Sequence, residues 1–409
     1  MAAPILKDFE QRELLADVTA AAEFAAHLAE APRTIYVGFD PTADSLHVGS
    51  LVPLLGLRRF QLAGHRPIVL VGGGTGLIGD PAGKTGERAL TPQEQVAAAA
   101  ARLKEQVKPF LDFDHGPHAA RLVDNYEWLS KLEVIPFLRD IGKHFGVGAM
   151  VARESVRTRI GTGISFTEFS YQVLQAYDFL ALHERHGCTA QMGGSDQWGN
   201  ITAGTELIRK VHGAAAYGLT LPLVTKSDGS KFGKTEAGTV WLDPARTSAY
   251  EMYQFWLNTP DADVVRFLKT FTFLPIEDIA GLARQVTEAP DKREAQRVLA
   301  REVTRLVHGD QGLRAAEART AALFGGAGDV SGSPDAVLQA DAPLPVWRVL
   351  KDAGLVSSAS EARRLIQQGG VEVDGEKVTD LAETAGAGAH TVKLGKRRIY
   401  RVILEGPTV

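Results

Sequence analysis

Four stretches of this sequence gather the groups that hold phosphate and small polar ligands. In "YVGFDPTADSLHVGSLVPLLGLRRF", residues 36 to 60, a strand-like run passes through Asp40, Pro41, Thr42, Asp44 and Ser45 into an amphipathic helix. A helix N-terminus offers unpaired N–H groups and the positive end of the helix dipole, so this turn is a natural anion site, crowded by His47 and the small residues Gly49 and Ser50. In "FTEFSYQVLQAYDFLAL", residues 166 to 182, a helix starting at Thr167 puts Tyr171, Gln175 and Asp178 on one face, spaced by four and then three. That polar stripe is either an exposed face or a pocket wall. An exposed face ordinarily carries Lys and Glu, whereas Tyr, Gln and Asp suit a small polar ligand.

The third stretch, "CTAQMGGSDQWGNITAG" (residues 188 to 204), reads as a strand ending in paired glycines with a helix beginning near Ser195. At a strand end of that kind Asp196 is a candidate for ribose hydroxyls, the plainer reading being a Gly turn with an Asp cap. The fourth, "KSDGSKFGKTEAG" (residues 226 to 238), sets Lys231, Lys234 and Thr235 on a Gly-containing loop, and "GDPAGKTGER" adds Lys84 and Arg88 on another. Two loop lysines are by default merely solvated; beside an anion-binding turn they fit a charge clamp. No Walker A run and no Cys/His set with zinc spacing is present.

Positioning these groups requires a doubly wound α/β framework. Residues 34 to 40 read as a strand, 48 to 63 as a helix closed by Gly64, and "RPIVLVGG" as a second, buried strand, which together make a βαβ unit. "CTAQMGG" and "LTLPLVT" supply later strands of a parallel sheet, and "SAYEMYQFWLN" opens a mainly helical section. The expected organisation is a Rossmann-like catalytic domain over 1–247, a helical domain over 248–325, a Gly/Ala/Ser/Pro-rich tether over 326–344 and a small α+β domain over 345–409. With 409 residues, 44% of them apolar, the chain can fill more than one core. One cysteine, Cys188, excludes an internal disulfide and fits a reducing cytoplasm, and no apolar run approaches the ~18 residues of a membrane span. A net charge of −4 does not suggest a general nucleic-acid binder such as one for DNA, although a sum can hide a local basic patch.

"DPTADSLHVGS" resembles the HIGH signature and "KFGKT" the KMSKS signature of class I aminoacyl-tRNA synthetases. The ordered set "GFDPTADSLH", "GLIGDP", "ISFTEFSY", "LQAYDF", "GGSDQWGNIT" and "KFGKT" is similar to the bacterial tyrosyl-tRNA synthetase family, and the tail stretch "SSASEARRLIQQGGVEVDGEKV" looks like its S4-like RNA-binding domain. The resemblance implies ATP-dependent activation of L-tyrosine and transfer to tRNA(Tyr), with Mg2+ accompanying ATP and no metal held by the protein itself. It further implies that Tyr36 and Asp178 bond the phenolic OH, and that Asp80, Tyr171 and Gln175 hold the ammonium. Gln191 would line the amino-acid pocket, and Gly38, Asp40, Gly194, Asp196 and Gln197 would contact tyrosine, ribose or the adenylate linkage. Thr42 and His47 would meet the γ-phosphate side, joined by Lys84, Arg88, Lys231, Lys234 and Thr235.

Ser50 stands where the HIGH signature has its second His, so it either takes over a ribose contact or bonds free N–H groups of the first helical turn. Arg363, Arg364, Lys396, Arg397, Arg398 and Arg401 are the tail's candidates for tRNA phosphates, though 341–409 as a whole holds ten Lys and Arg against nine Asp and Glu. The family also implies a homodimer, for which "VIPFLRDIGKHFGV" is the candidate surface. An inactive synthetase-like RNA-binding protein and a tryptophan-specific relative are the alternatives; against the second, an indole would leave Tyr36 and Asp178 unpaired.

Overall fold

The computed structural model describes residues 4–82, 90–161, 163–227, 229, 232–235, 238–324, 336–340, 342–356, 358–395 and 398–406. Two compact units divide the chain, Met1–Leu313 and Arg314–Val409.

The first unit is built on six strands in the order Asp17–Val18, Tyr217–Leu221, Cys188–Gly194, Thr34–Phe39, Arg66–Val71, Arg121–Asp124. Neighbours run parallel except the short edge strand Asp17–Val18, which is antiparallel to Tyr217–Leu221. All five residues of Tyr217–Leu221 and the last five of Arg66–Val71 are buried, as expected for a sheet covered by helices on both faces. The strand expected within "LTLPLVT" starts earlier and stops at Leu221, because Pro222 has no N–H to continue the ladder.

The chain winds from Thr34–Phe39 outwards to Arg121–Asp124, then returns to the other side at Cys188–Gly194. The order of winding therefore reverses between Thr34–Phe39 and Cys188–Gly194, and ligands of such sheets bind in the crevice at that point. One wall of the crevice is the helix Phe166–His186, which begins behind Ser165 rather than at Thr167. The Ser165 side chain accepts from the Glu168 N–H, and Gly187 in the left-handed conformation ends the helix. Ala176, Phe179, Leu180 and Leu182 join Tyr36, Ile68 and Leu70 in the core, which turns the polar stripe of this helix towards the crevice.

Beyond the sheet come the helices Ala249–Leu257, Asp261–Phe271, Ile276–Glu288 and Glu294–Phe324, the last interrupted at Gly309. Ser248 and Glu251 form a reciprocal capping box on the first of them. Arg12 and Arg59, both almost fully buried, donate to the carbonyls of Lys269 and Thr272 at the C-terminal end of Asp261–Phe271, where helical carbonyls otherwise lack partners.

The second unit packs helices Val346–Asp352 and Ala359–Gln367 on a five-stranded sheet ordered Glu376–Val378, Val371–Val373, Gly388–Leu394, Arg398–Glu405, Ala336–Gln339. Val349, Leu350, Ile366, Val371, Val392 and Val402 fill its core. The edge strand Ala336–Gln339 lies inside the stretch whose composition reads as tether; its half-buried and exposed residues alternate, as an edge strand requires.

Candidate active site

The turn after Thr34–Phe39 forms a short 3-10 segment, Val48–Ser50, before the α-helix Leu51–Leu62, so the expected helix over 48–63 is tightened at its start. His47 Nδ1 accepts from the Gly49 N–H at 3.0 Å, which assigns the ring proton of a neutral imidazole to Nε2. A side chain at Gly49 would put its Cβ 2.7 Å from His47 Cε1, so only glycine lets the ring fold back over its own helix start. Ser50 occupies the N-cap of the α-helix, yet its side chain makes no capping hydrogen bond. Of the two readings of Ser50, the cap is therefore not the one found. The turn is stitched to the chain beyond Gly238: Val48 N–H donates to the Val240 carbonyl at 3.1 Å, and the Leu242 N–H donates to Leu46 at 2.8 Å.

A cavity of about 720 Å3 opens at the reversal point of the sheet, lined by Tyr36, Gly38, Asp40, Thr42, His47, Gly49, Ser50, Asp80, Tyr171, Gln175, Asp178, Gln191, Gly194, Asp196 and Gln197. At its inner end Tyr36 is fully buried edge-on to Phe179, and its hydroxyl has no hydrogen-bond partner among the described residues. Gln175 Oε1 and Gln191 Oε1 are likewise buried, without partners among the described residues. Asp178 accepts from Asn125 Nδ2 at 2.9 Å and Trp128 Nε1 at 2.7 Å. Burial pushes its carboxyl up to about 8, against the opposing pull of those two donors.

The side wall is a carboxylate network. Asp40 accepts from Tyr171 OH at 2.8 Å and Thr75 Oγ1 at 2.7 Å; Asp80 accepts from Gln197 Nε2 at 2.7 Å and the Ala82 N–H at 2.9 Å. Gly72 makes room for it, since a Cβ there would sit 2.0 Å from Asp40 Oδ1. The outer end is formed by Thr42, His47, Gly49 and Ser50, with Gly233 and Thr239 opposite.

Lys84, Arg88, Lys231, Lys396 and Arg397 lie outside the described residues. Lys234 and Thr235 form a strand paired with Gly238–Thr239, placing their backbone next to Gly233 at the outer end. Arg363 and Arg364 are exposed on the helix Ala359–Gln367, and Arg398 opens the strand Arg398–Glu405. Sequence reasoning missed Asn125, Thr75 and Trp128. Asn125 is fully buried and donates to Thr75 Oγ1 as well as Asp178, while accepting from the Gly74 N–H at 2.7 Å. Its position just after the strand Arg121–Asp124 is the only hint the sequence holds.

An inner end with three polar atoms unpaired among the described residues, beside the Asp178 carboxyl, suits a ligand with its own polar terminus, since each unmet group otherwise costs about 1–3 kcal/mol. The helix N-terminus at the other end suits an anion. The protein family described as "tRNA synthetases class I (W and Y)" matches residues 28–325, and the S4 domain family matches 348–390. Tyrosine–tRNA ligase of Bacillus caldotenax is 52% identical over 97% of this chain and 99% of its own length. The enzyme of that name from Desulfitobacterium hafniense is 52% identical over 98% and 99%. The crystal structure of a C-terminally truncated mitochondrial tyrosyl-tRNA synthetase from Aspergillus nidulans is similar with a TM-score of 0.72 and 32% identity, covering 78% of this chain and 94% of that one.

Proposed function

The chain belongs to the class I tRNA synthetases of the tryptophan and tyrosine kind and joins tyrosine to tRNA, and we propose that it does so through tyrosyl-adenylate made from ATP in the cavity described above. The observation that carries the amino-acid choice is the inner end: the unpartnered Tyr36 hydroxyl beside the Asp178 carboxyl matches a phenol, which both donates and accepts, and mismatches an indole. Asp80, Tyr171 and Gln175 then take the ammonium, with Gln191 alongside. Gly38, Asp40, Gly194, Asp196 and Gln197 meet the tyrosine, the ribose or the new linkage.

The tyrosine carboxylate attacks the α-phosphate and pyrophosphate leaves, after which the 3′-terminal adenosine hydroxyl of tRNA attacks the mixed anhydride and AMP leaves. No side chain acts as nucleophile, so the protein works by orientation and by stabilising charge that builds up on phosphate oxygens. His47 Nε2–H, Thr42 and the helix N-terminus serve the phosphates at the outer end, with Lys84, Arg88, Lys231, Lys234 and Thr235 completing the clamp. Mg2+ travels with ATP in this scheme. Thr42, His47 and Ser50 are not the carboxylate set of a dedicated magnesium site, and no step is assigned to the ion.

Pyrophosphate exchange with tyrosine, phenylalanine and tryptophan tests the reading; exchange with tryptophan rather than tyrosine would overturn it. Asp178→Ala should lower the Tyr/Phe ratio in the same assay by about 5- to 150-fold, the cost of leaving the buried phenol without its partner at about 1–3 kcal/mol. An unchanged ratio removes Asp178 from phenol recognition. Ser50→Ala should slow activation by about 2- to 10-fold, one neutral hydrogen bond, with an unchanged melting temperature, because no cap is lost. A fall in melting temperature at normal rate restores the capping role.

For the remaining partners, Val134, Ile135, Leu138 and Val147 are more than half exposed, which supports self-association of two copies through "VIPFLRDIGKHFGV". No described helix is long and apolar enough to cross a membrane, and the single cysteine is buried and unpaired, in keeping with a cytoplasmic enzyme.

A further inference from the structure

We propose that Asp263 is a positioning residue for tyrosine activation, holding the chain that leads into Lys231 and Lys234; this rests on the reading above that those lysines serve the phosphates. Asp263 lies in the first turn of the helix Asp261–Phe271 and is 1% exposed, far from the inner end of the cavity in role and in partners. A buried carboxylate persists only where donors surround it. Here the Ser227 N–H reaches both its oxygens at 3.1 Å, and the Ser227 hydroxyl donates at 2.9 Å. Arg266 donates to the other side at 2.8 Å and also to the Thr225 carbonyl, so carboxylate and guanidinium together grip residues 225 and 227.

The same helix holds the chain a second time, five residues on. The Phe232 ring stacks on Phe271 with centroids 5.3 Å apart and meets Phe267 at 5.1 Å. Gly233 then accepts from the Val240 N–H at 3.0 Å, and Val240 in turn accepts from Val48 beside His47. In the sequence, Lys231 falls between Ser227 and Phe232, the two points held by one helix, and Lys234 follows the second. Phe232 is a greasy plug that any aromatic cluster would retain. Asp263 is different, because a carboxylate costs desolvation at that place and three of its four bonds go to Ser227.

Loss of the hook leaves the lysines present but spread over more positions, and a transition-state contact is sensitive to displacements of about 1 Å. The penalty should fall on rate and spare tyrosine affinity, since no residue of the inner end touches Asp263 or Ser227.

The test measures single-turnover tyrosyl-adenylate formation and equilibrium tyrosine binding on the full chain. Asp263→Ala should slow the step 10- to 100-fold with a tyrosine Kd within twofold, and Asp263→Asn, which keeps an acceptor for Ser227, should recover part of the rate. Combined with Lys231→Ala and Lys234→Ala together, Asp263→Ala should add less than about threefold to the loss, because the contacts it positions are then already gone. Full multiplication of the two losses, or an equal loss of tyrosine binding, overturns the proposal. Should Asp263→Ala fail to fold, Ser227→Ala, which removes only the exposed partner's hydroxyl, carries the same comparison. A parental rate in Lys234→Ala alone would instead overturn the lysine reading, and this inference with it.

Discussion

Lys234→Ala should slow tyrosyl-adenylate formation by about 10²–10³-fold while the Kd for tyrosine changes less than twofold. The magnitude is that of removing one preorganised donor from a developing oxyanion, about 2.7–4 kcal/mol. The placement of residue 234 supports so large an effect. Its strand follows Gly233, whose carbonyl is bonded by Val240, and the Val240 carbonyl is bonded by Val48, one residue from His47. The backbone at Lys234 is therefore tied to the helix N-terminus at the outer end of the cavity. The residues assigned to the phenol, Tyr36 and Asp178, stand at the inner end among Asn125, Trp128 and Phe179. A group that meets phosphate mainly in the transition state changes the rate and leaves ground-state binding of the amino acid alone. Rapid-quench kinetics with equilibrium dialysis separates the two, and equal losses in both would show that Lys234 shapes the pocket instead.

What the sequence made legible was whatever depends on neighbours in the chain. Tyr171, Gln175 and Asp178 share a face because helical spacing alone puts them there, and the fold confirms that the face is a cavity wall, with Asp178 1% exposed. The His47 turn was legible for the same reason, since a strand, a turn and a helix follow each other within some twenty residues. Asn125 was not. Its partners Asp178, Thr75 and Gly74 are about fifty residues away in each direction, and an Asn after a strand otherwise reads as a turn. The two-residue strand Asp17–Val18 carries too little pattern to stand out, and Ala336–Gln339 is concealed by its Gly-rich and Ala-rich surroundings until Arg398–Glu405 pairs with it. Ser50 was ambiguous because both of its readings begin from a helix start, and only the absence of a capping bond separates them.

Removal of residues 325–409 should abolish or severely weaken tyrosylation of tRNA and leave tyrosyl-adenylate synthesis nearly intact. The position of the cut follows from the fold. Cutting at 341 would strand Ala336–Gln339 without its parallel partner Arg398–Glu405, whereas ending at Phe324 keeps the helix Glu294–Phe324 whole and takes the tail's sheet and core away together. Every residue assigned here to tyrosine and ATP precedes residue 240. On the RNA side, Arg364 is exposed on Ala359–Gln367, and Arg363 lies on the same exposed face with its guanidinium 4.2 Å from the Trp347 ring centroid. Lys393, by contrast, is paired with Glu372 at 2.8 Å, so the near balance of charge in the tail is settled partly by internal pairs, while Arg363 and Arg364 stay exposed. Losing even two charge-assisted contacts at about 1.5–3 kcal/mol each implies at least about 10²-fold lower kcat/KM for tRNA. Arg363→Ala combined with Arg364→Ala should act in the same direction and flatten the salt dependence of charging, because fewer counterions are then released on binding. Pyrophosphate exchange measured beside tRNA charging on the truncated chain decides the matter. Exchange that survives with charging lost assigns the tail to tRNA, while charging that persists at ordinary salt places the RNA anchor within residues 1–324.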